Sequence, residues 1–251
     1  VCTPSSKEHM LTFKNCSAIY ILKDFKFHDF KSKKTVDRAD LCKTLGIATN
    51  KRLLTLATTR HSSYIFAAHN RHDLSAILIK TMARVLDDDP DYELVIKLHP
   101  SENPARYSDF LVDIPPAIRE RIHIVAKIHL YSLLKESAVV LTPGSTVAYE
   151  AMLFERPVII LDFLQLPDGR PFCEHKACFN ACNIDEIKQL LQRIVAPTFD
   201  QQAMVARQKI FLNEMCEFSA EEHKKNLSRL FDTIINEMVH HDQSIQKTTV
   251  L

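Results

Sequence analysis

The sequence predicts an α/β fold, a parallel β-sheet covered on both faces by helices. Three observations predict it. From residue 52 onward, short β-rich runs alternate with stretches of helical periodicity, the order in which successive βα units appear along a chain. Two of the runs, VVL and VIIL, are apolar without interruption, as strands buried on both faces must be. A chain of 251 residues with 46% apolar content can also bury a core large enough for such a sheet.

The elements follow in order. Residues 1–47 read as a lysine-rich, irregular lead-in, either a linker from a preceding domain or a short adapter packed on the sheet, ending in a short helix stopped by Gly46, a residue suited to a left-handed C-terminal cap. The main domain is expected over residues 48–240. Its strands are read in LLTLATT, ELVIKLH, IHIV, AVVLT and PVIILDF, and its first helices near 72–86, 104–112, 129–136 and 146–153. Pro104 suits a first helical turn, where its missing N–H costs nothing. A short strand near 177–181 precedes a helix over 184–195 that opens with NIDE, Asn183 capping and Glu186 reaching back. Two more helices finish the chain. The last starts with the capping-box pair Ser219 and Glu222 and is expected to end near residue 239. Its stripe of Leu227, Leu230, Phe231, Ile234, Ile235 and Met238 reads as a docking face. Residues 241–251 are expected to be a flexible tail.

Composition narrows the function classes. The 32 Lys and Arg nearly balance the 31 Asp and Glu, leaving +1, so no broad footprint for nucleic acid or an anionic membrane is visible and any anionic ligand must be held locally. No apolar run approaches the roughly 20 residues that span a bilayer, and VCTPSSKEHM lacks the regions of a signal peptide, which makes a cytoplasmic location the expectation. Among the seven cysteines, Cys173, Cys178 and Cys182 lie close to His175, but the spacing lacks the tight CxxC pairs of a zinc site. DDDPD at 87–91 lacks the alternating ligands and the glycine of an EF-hand and reads as a solvated loop. No metal is expected.

The chemistry concentrates at strand ends. In an open parallel sheet, ligands bind beyond the carboxyl ends of the strands, where helix N-termini offer free N–H groups. LTPGSTVAYEAM, residues 141–152, carries one of only three glycines in the chain. Gly144 lets the backbone approach a phosphate without a Cβ, Ser145 and Thr146 add hydroxyl donors, and Glu150 stands one turn on, where it can accept from a ribose. The competing reading is a helix start that Ser145 merely caps. LVIKLHP places His99 at a second strand end, where an imidazole can donate to a phosphate oxygen, and Pro100 stiffens the exit. LATTRHS places Thr58, Thr59, Arg60 and His61 at a third, and the planar fork of Arg60 suits a diphosphate.

Taken together, LATTRHS, LVIKLHPSENP, LYSLLKESAVVLTPGSTVAYEAMLFERPVIILDF and PFCEHKACFNACNIDEI resemble the nucleotide-binding C-terminal half of GT-B glycosyltransferases, over roughly residues 45–240. The groups resembled build bacterial capsule and wall polymers: CDP-glycerol glycerophosphotransferase-like and polysialyltransferase-like enzymes, with UDP-N-acetylglucosamine 2-epimerase as a relative. The resemblance implies the Rossmann-like C-terminal domain of a GT-B fold. It implies an enzyme that transfers a sugar or polyol phosphate from a nucleotide-activated donor in surface polysaccharide synthesis. It implies no cofactor beyond that donor, and a polysaccharide or lipid-linked acceptor, with peripheral membrane association. Thr59, Arg60, His99, Gly144, Ser145 and Thr146 are then expected on the donor phosphates, Glu150 on the ribose, and His99 with Arg60 as the catalytic groups. An epimerase and a non-catalytic nucleotide-binding domain are the alternatives. LFERPVI departs from the pattern, since Glu155 stands where these enzymes usually carry a glycine that relaxes a left-handed turn. The acceptor-binding N-terminal domain, with its catalytic base, is expected outside this chain.

Overall fold

The structure is a computed structural model, and it describes Phe27 and residues 30–59, 74–163, 176–216 and 218–248. Arg60, His61, Cys173 and His175 lie outside the described residues. The chain divides into two compact units, Lys34–Leu212 and Val1–Lys33 with Asn213–Leu251.

The unit Lys34–Leu212 is built on one sheet. Its strands are β1 (Arg52–Ala57), β2 (Tyr92–Lys97), β3 (Ile122–Val125), β4 (Ser137–Thr142), β5 (Val158–Leu161) and β6 (Phe179–Ala181). They lie in the order β3-β2-β1-β4-β5-β6, and every neighbouring pair is parallel. The helices are α1 (Arg38–Leu45), α2 (Leu74–Asp88), α3 (Ala105–Phe110), α4 (Pro116–Arg119), α5 (Leu130–Glu136), α6 (Val147–Leu153) and α7 (Ile184–Val195), with α8 (Gln201–Met215) after them. The βα alternation, the parallel sheet and the helix positions match the sequence reading. The single turn α4 is additional; Pro116 at its start has the φ a helix needs and no N–H to lose.

Successive residues of a strand point to opposite faces, and here both faces are dry. On one side Leu54 and Leu56 of β1 join Leu94 and Ile96 of β2, packed by Leu78, Met82 and Leu86 of α2 and Leu191 of α7. On the other, Leu53 and Val95 meet Leu41, Ile47 and Leu133. That is why the strands read as unbroken apolar runs. Two of the polar exceptions satisfy each other. Thr55 and Ser137, both 0% exposed, share a hydroxyl–hydroxyl bond of 2.7 Å, and Ser137 Oγ also donates to the Leu133 carbonyl at 2.7 Å.

The caps follow the local signals. Gly46 closes α1 in the left-handed region at φ 70°, its N–H on Lys43 and the next N–H on Cys42. At α7, Asn183 Oδ1 accepts from Glu186 N–H at 3.0 Å, and Glu186 reaches back to the N–H of Cys182 at 2.7 Å. The DDDPD loop is tied to the sheet, Asp89 pairing with Arg52 at 3.1 Å.

In the other unit, α9 (Ala220–Thr248) starts on Ser219, whose Oγ accepts from Glu222 N–H at 3.2 Å. It runs past the end expected near residue 239, because no glycine or proline interrupts HHDQSIQKT. Phe231 and Ile235 lie exposed on it. Among the described residues, no helix is long and apolar enough to cross a membrane.

Candidate functional site

The strand order reverses between β1 and β4: from β1 the chain steps outward to β2 and β3, then returns to β4 on the other side and steps outward again. Connections leaving β1 and β4 therefore diverge to opposite faces, and a crevice opens beyond their carboxyl ends. Because all strands are parallel, the exits of β1, β2 and β4 share that edge. Thr58 and Thr59, His99, and Gly144 to Thr146 are thereby brought to one side of the sheet. Arg60, next along from Thr59, lies outside the described residues.

At the β4 exit the turn is built by its own hydroxyls. Buried Thr142 accepts the Ser145 N–H on its Oγ1 at 3.1 Å, and Ser145 Oγ accepts the Val147 N–H at 3.3 Å. Ser145 thus stands just before the N-cap Thr146, its oxygen taking the N–H of the first residue of α6. Thr146 is exposed, in helical conformation, with no capping bond from its side chain. Gly144 is required by conformation: its φ is +114°, whereas a Cβ there would meet nothing within 4 Å. Glu150 lies in the first turn of α6, four residues beyond Thr146 and so on the same helix face, and is only 3% exposed.

At the β2 exit, His99, Pro100, Ser101 and Glu102 form a turn closed by the Glu102 N–H on the His99 carbonyl at 3.0 Å. Proline at the second position suits that turn. The His99 ring is oriented by Ser101, whose N–H donates to Nδ1 at 3.2 Å and whose Oγ lies 2.8 Å from it. A nitrogen that accepts from a backbone N–H carries no proton, so the neutral ring holds its hydrogen on Nε2, as a donor.

Behind His99 stands a carboxylate that sequence reasoning missed. Glu102 Oε2 accepts the His99 N–H at 2.9 Å and bonds the Thr58 hydroxyl, while Oε1 accepts from the Tyr107 hydroxyl at 2.8 Å. The Thr58 oxygen accepts the same His99 N–H at 2.9 Å. Tyr107 is 1% exposed, and its hydroxyl also points to Ser75 of α2 at 3.4 Å. Burial, reinforced by the Glu102 carboxylate, raises the Tyr107 hydroxyl far above the ordinary tyrosine range, which keeps it a donor. Lys97 steadies the same exit, its Nζ donating to the carbonyls of Leu98 at 2.5 Å and Ala126 at 3.2 Å. Burial lowers its pKa, and the nearby Glu102 partly opposes that. The sequence did carry a signal, a carboxylate three residues after His99 and a tyrosine five further on, but not their convergence on one strand end.

Glu155 answers the departure from the glycine pattern. It adopts φ 59° at the end of α6, with its N–H on Met152 at 2.9 Å and the Arg156 N–H on Ala151 at 3.1 Å, the two bonds of a Schellman motif. The left-handed turn is kept, with a glutamate in it. Among the described residues, no group of three or more His, Cys, Asp or Glu converges on a common point.

The family model described as capsule polysaccharide biosynthesis protein matches residues 23–163, more than half of the chain. The chain belongs to this family. No curated protein matches the sequence. Among solved structures, the family member is similar to S. aureus MnaA in complex with UDP, at TM-score 0.60 and 16% identity over 91% of this chain and 58% of that one. A candidate UDP-N-acetylglucosamine 2-epimerase from Listeria monocytogenes matches at TM-score 0.57 and 18% identity, over 81% of this chain and 51% of that one. The C-terminal CMP-Kdo binding domain of WaaA from Acinetobacter baumannii matches at TM-score 0.50 and 13% identity, over 70% of this chain and 95% of that one. The capsule-family chain thus spans about half the length of the two longer structures and nearly all of an isolated C-terminal domain. At such identities the likeness establishes the fold, the Rossmann-like C-terminal half of a GT-B arrangement.

Proposed function

We propose that this chain is the donor-binding half of a transferase that moves a sugar or polyol phosphate from a nucleotide-activated donor during surface polysaccharide synthesis. The observation that carries this reading is the edge itself. Three strand exits at the reversal of strand order carry His99 with Nε2–H as a donor, the turn Gly144–Ser145–Thr146, and the threonines after β1. Membership of the capsule polysaccharide family supports it, and so does the nucleotide named for two of the similar structures, UDP for one and CMP-Kdo for the other.

In this mechanism the acceptor hydroxyl attacks the transferred group, losing its proton to a base outside this chain. The bond from that group to the donor phosphate oxygen breaks, and the electron pair stays on the nucleotide as a phosphate leaving group. His99 Nε2–H, Arg60, and the Ser145 and Thr146 hydroxyls stabilise the charge that develops there. Thr59 and Gly144 contact the same phosphates, and Glu150 takes the ribose hydroxyls. The reaction is cytoplasmic, with the acceptor a polysaccharide or a lipid-linked precursor at the membrane surface.

Epimerisation of a UDP-sugar is the second reading, favoured by the candidate epimerase among the similar structures. It retains the nucleotide sugar, whereas transfer releases free nucleotide, so product analysis separates the two.

Calorimetric titration with CMP, CDP, UDP and inorganic phosphate tests the binding role. Selective binding of one nucleotide, weakened about tenfold in His99→Ala, is expected for the loss of one charge-directed donor. A folded chain that binds none of the three nucleotides overturns the reading.

A further inference from the structure

We propose that Glu102 is the positioning residue of this site: its carboxylate fixes where His99 presents Nε2–H, without itself touching the ligand. The inference rests on the donor-site reading above. The turn and the carboxylate are reciprocal. Glu102 N–H closes onto the His99 carbonyl at 3.0 Å, and Oε2 returns to the His99 N–H at 2.9 Å, so both backbone groups of His99 are held by one residue. Oε2 also bonds the Thr58 hydroxyl, which ties the β2 exit to the β1 exit across the first pair of the sheet. Oε1 is anchored by Tyr107, a 1% exposed side chain of α3 that also reaches Ser75 of α2. Three segments therefore meet on one carboxylate, and Tyr107 links it to a fourth, α2.

The charge is the puzzle, because an anion next to a phosphate site repels the ligand. The geometry resolves it: the named contacts on both oxygens come from donors belonging to this chain. An ionised carboxylate accepts on both oxygens, so Thr58, His99 and Tyr107 are all served without a proton being placed between them. What the site needs is the reach of the side chain and an acceptor facing His99 N–H. A glutamine satisfies both, since its carbonyl can face His99 while its NH₂ faces the Tyr107 oxygen, which can accept. An aspartate keeps the charge but is one methylene too short.

The test is a double-variant cycle on the whole chain, read by calorimetry with CMP, CDP and UDP. Glu102→Ala weakens the preferred nucleotide about tenfold when His99 is present and less than about twofold in the His99→Ala background, because the loss passes through His99. Glu102→Gln stays within about threefold of wild type, and Glu102→Asp loses about as much as Ala. The Gln and Asp comparison decides the question even if the Ala variant does not fold. Equal losses in both His99 backgrounds overturn the inference, as does binding that survives in Glu102→Asp and fails in Glu102→Gln, the signature of charge instead of reach. Wild-type binding that is sensitive to His99 but indifferent to Glu102 sinks this inference alone. Absence of wild-type binding sinks the donor-site reading with it.

Discussion

Replacing Glu155 with glycine and with alanine measures the strain stored at the end of α6. Glu155 occupies the left-handed region at φ 59°, which costs an L-residue roughly 1–2 kcal/mol and glycine nothing. Glycine gives back roughly 0.4–1 kcal/mol through the greater freedom of its unfolded chain. Both variants lose the ion pair from Lys209 Nζ to Glu155 Oε1 at 2.9 Å, whose side chains are 65% and 51% exposed, so it contributes at most about 1 kcal/mol and is screened by salt. The ion pair therefore cancels from the comparison. The glycine variant should exceed the alanine variant by about 1 kcal/mol, the roughly 1–2 relieved less the entropic term. Urea denaturation reads this as a midpoint shift at constant slope, and thermal unfolding as roughly 2–4 °C in a chain of this size. Raising the salt should shrink the gap between wild type and alanine while leaving the glycine–alanine gap unchanged. Alanine as stable as glycine would refute the claim that the Schellman turn is strained.

Other perturbations report on the site. Tyr107→Phe removes the hydroxyl that bonds Glu102 at 2.8 Å while keeping the buried ring, and should cost about 1 kcal/mol in urea. Because burial raises the Tyr107 pKa in the folded state, the unfolded chain loses its proton first. Stability from this group is therefore full below about pH 10 and falls as pH rises above it, and the Phe variant should show a shallower alkaline decline. Lys97, lowered by burial, acts with the opposite sign, so the comparison is made between wild type and Tyr107→Phe alone. Gly144→Ala should destabilise by roughly 1–3 kcal/mol through backbone conformation, since φ is +114° and the space for a Cβ is open. A neutral Gly144→Ala in urea would show that the turn relaxes freely.

Much of this protein is local, and local features were legible. The βα alternation follows from hydrophobic periodicity, and the strands read as apolar runs because Leu53 and Leu54 each find a buried face. Gly46 and Asn183 cap the helices their neighbours predict, and the tension flagged at Glu155 appears as a positive φ. The end of α9 was misjudged because polar residues without glycine or proline do not stop a helix. At the GST turn the N-cap is Thr146, and Ser145 one residue earlier holds the Val147 N–H through its oxygen.

Sequence by itself determined the element types, their order, and the residues at each strand exit, because helix and strand periods and cap chemistry act within a few residues. The tertiary structure alone decided that β4 returns beside β1, and hence that three exits share one crevice, because strand order is set by packing between residues far apart in the chain. It alone placed Thr58, His99 and Tyr107 around Glu102. Thr58 and Glu102 are 44 residues apart, and the bond between them exists only once β1 and β2 have paired.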